Sequence, residues 1–348
     1  MGVVPPKHCV LKHLKQSIIV VVCASVALYM LLLQPANGVV GTFAPTTHYD
    51  TCFGNATQGL AGLNTLTIAG DTVPLHLPRV KARFERELSE QLYSPSSLRA
   101  IAARSRRFFP IVVPILKKHG IPRDFKYVLA VESQGDDNAV SRRGATGLWQ
   151  FMAAPARDLG LRIDNEVDER MHLEKSTEAA CRHIKALRKQ TGSWTNALAA
   201  YNVGVNKFLR ISDGQNQSDY FKLWLNKETN RYVFKIIAIK ELMERPRSYG
   251  LQMKMVSSSA PATKRLRVSQ KIENLFAYAA KHGTDYFAMR ELNPWIIGKS
   301  LTPATGEVYY IHISKSKPAR ALMADMLQID SLRSSQLAFA ADTTLAEF

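Results

Sequence analysis

A chain of 348 residues, 46% hydrophobic and 22% charged, has the length for one or two domains with a sizeable core, and its composition excludes disorder as the default state. Its formal charge of +17 implies an anionic partner, whether nucleic acid, an anionic membrane surface or an anionic cell wall. Lys and Arg are scattered along the chain and no nucleic-acid motif accompanies them, so nucleic acid is not expected.

Residues 1–38 read as a signal or membrane-anchor segment. Lys7, Lys12 and Lys15 precede a mostly apolar, uncharged run from Ser17 to Leu33. As a helix that run spans about 25 Å, short of a hydrocarbon core of about 30 Å yet slightly longer than a typical signal-peptide core. Two fates fit it. Ala36-Asn37-Gly38 offers small residues for cleavage after Gly38, and the run extended past Leu33 would serve as a retained anchor, the reading slightly favoured. Either way, lysines on its N-terminal side put the bulk of the chain outside the cytoplasm. Cys23 lacks the surroundings of a lipoprotein site. Cys9 and Cys23 fall in this segment, which leaves Cys52 and Cys181 to form a disulfide or, more simply, to stay separate thiols. No Cys/His spacing resembles a metal site.

Residues 39–75, rich in Gly, Thr, Asn and Ala, read as a poorly ordered linker. From Leu77 to Tyr93 the stripe Val80, Phe84, Leu88 and Leu92 predicts an amphipathic helix that packs on a domain spanning 76–250. Ser96 or Ser97 caps a next helix, which Pro110 and Pro114 are expected to kink or restart before Gly120. Pro122 then opens the helix leading to Glu132. Residues 176–191 form an amphipathic helix stopped by Gly192, on which His183 is a surface or packing residue. Trp194 to Asn202 is a short helix ending at Gly204. From Thr229 to Glu244 a helix carries Tyr232, Val233, Ile236, Ile239 and Met243 on one face. Residues 254–271 read as a basic linker. Beyond it, within 264–315, come a helix from Ile272 to His282, a turn at Gly283, a helix from Tyr286 to Leu292 and a strand from Val308 to Ile313. Residues 316–348 are a tail without a site. The fold class is mainly α, with a small α+β C-terminal module.

The chemistry concentrates between residues 125 and 152. The apolar run Tyr127, Val128, Leu129, Val131 ends in one carboxylate, Glu132. Apolar neighbours penalise its charged form and push such a Glu to roughly 6 to 7, able to donate a proton near neutrality. Gly144 and Gly147 permit positive φ in a turn that wraps a ligand, and Trp149, Gln150 and Met152 offer a flat apolar surface beside an amide. That combination suits a sugar ring with hydroxyl and acetamide groups.

Glu132-Ser133, then Ser141 with Gly147-Leu-Trp149-Gln150-Phe-Met152, then Ala200-Tyr201-Asn202-Val-Gly204, then Glu228-Thr-Asn-Arg-Tyr232-Val resemble the four signatures of lytic murein transglycosylases. The closest subtype is the membrane-bound D type, and the resemblance spans roughly residues 85 to 250. It implies a lysozyme-like α-helical catalytic domain that cleaves the bond between N-acetylmuramic acid and N-acetylglucosamine without a cofactor. Glu132 would be the general acid and then the base, giving a 1,6-anhydromuramyl product. Ser133 and Ser141 would orient Glu132 or the acetamide, Gln150 and Met152 would shape sugar subsites, Tyr201 and Asn202 would face the glycan, and Glu228 and Tyr232 would line the cleft. The implied partners are peptidoglycan strands and, through the N-terminal segment, the bacterial membrane, which puts the enzyme on its periplasmic face. The order of elements in 264–315 resembles a degenerate LysM-like wall-binding module, and a subdomain that simply packs on the catalytic one fits equally well.

The sequence departs from the family in two loops, where Gly135-Asp136-Asp137 replaces a frequent Phe-Asn-Pro and Ala153-Ala-Pro155 a Pro-Gly-Thr. Most glycosidases need two carboxylates. Asp136 or Asp137 acting as a base would make the protein a lysozyme-type hydrolase of the same bond, although solvated turn residues is the simpler reading. A non-catalytic wall-binding anchor would keep the groove without needing Glu132 as an acid.

Overall fold

The computed structural model describes residue 59 and residues 65–251 and 263–315. The expectations for the targeting segment, for Cys52 and for the tail lie outside these residues. Among the described residues no helix is long and apolar enough to cross a membrane. They form ten α-helices and two small two-stranded sheets, so the mainly α class holds, with an α+β C-terminal module.

Residues 65–75, expected to be linker, are part of the core. A hairpin of β1 (Thr67–Ile68) and β2 (Asp71–Thr72) turns at Ala69 and Gly70, with Leu66, Ile68, Ala69 and Val73 all buried. The hairpin is tied down by polar groups far away in sequence. Asp71 accepts from the Thr195 amide and hydroxyl, and the Ala69 amide donates to Asp124. Strands of two residues are too short for alternation to register as a signal.

Helix α1 (Pro78–Tyr93) buries Val80, Phe84, Leu88 and Leu92 as expected, and Glu87 as well. The buried Glu87 is paired with Arg231 on the helix α1 packs against. Helix α2 (Pro95–Lys118) runs unbroken through Pro110 and Pro114. Both prolines lie on its exposed face, four residues apart, so the carbonyls that lose their intrahelical donors face water rather than the core. Pro122 opens a 3₁₀ turn, Arg123–Tyr127, that passes into the single-turn α3 (Val128–Glu132). Next come α4 (Ala153–Asp158), α5 (Leu173–Thr191), α6 (Trp194–Val203) and α7 (Val205–Gly214).

Helix α8 (Lys227–Glu244) is the centre of the domain. It was expected to bury one face, but residues 232–234 and 236–242 are all buried, because α1, α3 and α6 pack around it. Two polar groups in that run are paired: Lys240 donates to Asp124 (2.6 Å) and to the Thr67 carbonyl (2.8 Å), and Glu241 accepts from Tyr249 (3.0 Å). Cys181 is a buried free thiol on α5.

The C-terminal module pairs β3 (Thr263–Val268) antiparallel with β4 (Tyr309–Ser314) and carries α9 (Leu275–Lys281) and α10 (Tyr286–Leu292) between them. β3 falls in the stretch read as a basic linker. Its Lys264, Arg265 and Arg267 are exposed while Val268 is buried, so charge on the outer face masked the strand. The module has its own apolar core, from Val268 through Leu275, Met289 and Trp295 to Ile311, and Val167 of the preceding domain completes it.

Candidate active site

Glu132 is the last residue of α3, and the chain breaks off the helix immediately after it. Gln134 and Gly135 both have positive φ (53° and 74°). A Cβ on Gly135 would lie 2.8 Å from the Phe108 ring, so only glycine permits this approach. Ser133 secures the turn: its hydroxyl donates to the Leu129 carbonyl (2.9 Å) and accepts from the Gly135 amide (3.2 Å). It thus orients the backbone that carries Glu132 rather than the carboxylate itself.

The Glu132 carboxyl is half-buried, and desolvation pushes its pKa up to about 7. Glu228, on the first turn of α8, adds to the rise through like-charge repulsion, and Tyr232 opposes it by donating a 2.5 Å hydrogen bond to Oε1. Tyr201, from the C-terminal turn of α6, lies close enough for Glu132 to act on its phenol, which donates to the Trp149 carbonyl (2.7 Å). Burial holds both phenols in their protonated form. Asn202 Oδ1 accepts from Thr229 Oγ1 (2.9 Å), which ties α6 to α8 and leaves both amide hydrogens and one oxygen lone pair for a ligand. Glu132, Tyr201, Asn202, Glu228 and Tyr232 therefore converge from three helices.

The glycine-containing segment folds as a loop beside Tyr201. Ser141 Oγ accepts from the Ala145 amide (2.9 Å), and Gly144 and Gly147 both take positive φ, as the sequence predicts. Gln150 also has positive φ (51°), and its Nε2 donates to the Ala139 and Gly147 carbonyls (3.1 and 2.8 Å), so its amide shapes the loop from within. Trp149 was expected to offer a flat surface to a ligand, but its indole is fully buried and donates to Thr177 (3.0 Å). A single indole N–H needs one internal partner to be buried, and Thr177 supplies it. Met152, 44% exposed, is the apolar side chain this loop presents outward.

The two aspartates behave as turn residues. Asp136 accepts from the Asn138 amide (3.0 Å), and Asp137 is paired with Arg107 (2.5 Å). Ala153-Ala-Pro155 enters α4. His183 packs between the Phe151 and Tyr201 rings, and burial lowers its pKa, so it is neutral packing.

One cluster was invisible in the sequence. Arg170, only 8% exposed, donates Nε and Nη2 to Asp168 (2.9 and 2.7 Å) and Nη1 to the Gly144 and Phe151 carbonyls (2.8 and 3.1 Å). Asp168-Glu169-Arg170 reads in sequence as a solvated charge run, and the opposite signs of Asp168 and Arg170 within it are the one hint of pairing.

Residues 113–223 match the family described as Transglycosylase SLT domain, and residues 264–317 match the Soluble lytic transglycosylase C-terminal LysM-like domain. Membrane-bound lytic murein transglycosylase D of Escherichia coli K12 is 27% identical over 283 residues, 80% of this chain and 60% of that protein. A putative tributyltin chloride resistance protein of Alteromonas sp. strain M-1 is 31% identical over 120 residues, 34% of this chain and 58% of that one. The chain thus spans less than two thirds of the length of these relatives. Residues 113–223 are thus similar to SLT transglycosylase domains, and residues 264–317 to a LysM-like C-terminal domain.

Proposed function

We propose that the protein is a peptidoglycan lytic transglycosylase, with Glu132 as its single acid and base. The observation that carries this reading is the Glu132 carboxyl itself: half-buried at a helix end, pushed up to about 7, and bonded by Tyr232, with Tyr201 close enough to feel its charge and bonded to the glycine-containing loop at Trp149. A carboxyl with that pKa is partly protonated at neutral pH and works in both directions. As an acid it donates its proton to the glycosidic oxygen between N-acetylmuramic acid and N-acetylglucosamine, and the C1–O bond breaks. The substrate's own acetamide stabilises the cation. The carboxylate then takes the proton of the muramyl 6-hydroxyl, whose oxygen closes on C1. The product is a 1,6-anhydro sugar, and no water is consumed.

In this reading Tyr232 holds the carboxylate and tunes its pKa. Glu228 lines the cleft and keeps Glu132 basic enough for the second step. Ser133 and Ser141 keep the two turns that flank the acid, Gln150 shapes the loop, and Met152, Tyr201 and Asn202 meet the glycan. The hydrolase alternative loses support from Asp136 and Asp137, one engaged in its own turn and the other by Arg107. Domain limits of 76–250 for catalysis and 264–315 for the C-terminal module remain part of the proposal, with residues 65–75 added to the first. The apolar run at Ser17–Leu33 and the D-type relative's name support action on wall at the periplasmic face of the inner membrane.

Mass spectrometry of muropeptides released from purified peptidoglycan tests the reaction. Anhydromuropeptides, lighter by one water than hydrolytic products, are expected. Reducing muramyl ends would establish a hydrolase, and protein bound to the wall without release would establish an anchor. Glu132→Gln is expected to keep the fold and to lose at least roughly 10²- to 10⁴-fold in rate.

A further inference from the structure

The C-terminal module does not hang from a free linker. Its 295–302 edge is bonded along the 162–168 turn of the catalytic domain. The Asp168 amide donates to the Trp295 carbonyl, and the Ile297 and Gly298 amides both donate to the Glu166 carbonyl, all at 2.9 Å. The Glu166 carboxylate accepts from Ser300 Oγ (2.6 Å), the Thr302 amide (2.9 Å) and Thr302 Oγ1 (3.1 Å), while Arg162 donates to the Thr302 carbonyl (2.6 Å). Val167 lies wholly within the module's own core. The backbones approach so closely that a Cβ on Gly298 would lie 2.7 Å from the Asn165 carbonyl oxygen.

From that turn the contact passes directly to the cleft. Asp168, whose amide is held by Trp295, grips Arg170 through both carboxylate oxygens, and Arg170 bonds the Gly144 and Phe151 carbonyls at the two ends of the glycine loop. The Arg170 backbone also touches the loop: a Cβ on Gly147 would lie 2.1 Å from the Arg170 carbonyl oxygen. A buried guanidinium that spends its donors on one carboxylate and two backbone carbonyls specifies a geometry, and lysine cannot replace it, because an ammonium lacks the planar fork.

We propose that the LysM-like module is a positioning element of the catalytic cleft, and that Arg170 is the positioning residue through which its docking holds the 141–152 loop in place. The proposal rests on the cleft being where the glycan is cut. It assigns the module a role in turnover of even a short glycan that no separate wall-binding site could also engage.

The test uses the full chain with Gly298→Ala, which wedges the module from the turn without touching the cleft, and Arg170→Lys, which keeps the charge on Asp168. Hydrogen exchange at residues 141–151 and kcat, KM and pH profile on a short soluble muroglycan are measured together. Both variants are expected to speed exchange in the loop while α8 stays protected, and to lower kcat roughly 10- to 100-fold. The pH at which activity falls should not move, because the bond from Tyr232 to Glu132 is untouched; a general loss of structure would shift it and would deprotect α8. Loop exchange unchanged in Gly298→Ala, with kcat within twofold of the parent, would overturn the proposal. If the parent protein cuts no glycan, the assignment of the reaction fails, while the exchange measurement still decides whether the module holds the loop.

Discussion

Tyr232 donates a 2.5 Å hydrogen bond to Glu132 across a separation of 100 residues, joining the core-facing side of the central helix to the end of a single-turn helix. The bond stabilises the carboxylate and thus opposes the desolvation that raises its pKa. Tyr232→Phe removes this opposition without opening a cavity beyond one oxygen. The basic limb of the kcat/KM profile, which reports loss of the acid's proton, is expected to move above pH 7. A limb that stays put would mean that Tyr232 does not touch the working carboxylate.

Glu228 acts with the opposite sign. Its charge raises the Glu132 pKa, so Glu228→Gln is expected to move the same limb downward, and rising salt should shrink the difference because Glu228 is exposed. The pH profiles of the two variants, taken at low and high salt, check both signs at once.

The pKa of Glu132 also sets a stability change. The folded state keeps this proton to about 7, whereas the ordinary value is 4.5, so folding binds a proton between those limits. The stability this confers is fully present below 4.5 and is lost as pH rises through 7. Glu132→Gln cannot ionise and should match the parent near pH 4 but exceed it by up to about 3 kcal/mol above pH 7.5. Urea unfolding at pH 4.5 and 8 measures the difference. An equal gap at both values would show that the carboxyl is not penalised by its surroundings.

The Lys240–Asp124 pair anchors the β1–β2 hairpin to the central helix. Lys240→Met leaves Asp124 buried without its cation and is expected to cost about 3 to 5 kcal/mol in denaturant unfolding. Asp124→Asn with Lys240→Met together should recover a large part of that loss.

Gly147 has φ +77°, and any Cβ there meets the Arg170 carbonyl oxygen at 2.1 Å. Gly147→Ala is expected to cost roughly 2 to 4 kcal/mol, through left-handed strain and overpacking, and to lower activity even at temperatures where the chain stays folded. Thermal melts beside single-temperature assays separate the two effects.

What the sequence determined was whatever depends on neighbours along the chain. The stripes of α1 and α5, the stop at Gly192, the apolar run that ends in Glu132 and the positive φ of Gly144 and Gly147 are local consequences of periodicity and glycine chemistry, and all appear where the spacing put them. The motif residues, too, were legible one by one. Only the tertiary structure decided how they meet. Ser133 and Gln150 bond their own turns, Trp149 turns inward to Thr177, and Tyr232 reaches the acid because α8 is buried nearly all round. The hairpin at 67–72, the strand at 263–268 and the ties from Trp295 to Asp168 and from Asp168 to Arg170 lay beyond reading, because short strands and paired charges look in sequence like solvated linker. The hairpin's anchors Asp124 and Thr195, the strand that pairs with β3 and the Trp295 partner of Asp168 lie tens to more than a hundred residues away, and a buried charge is stable only where folding brings its counter-charge within hydrogen-bond distance.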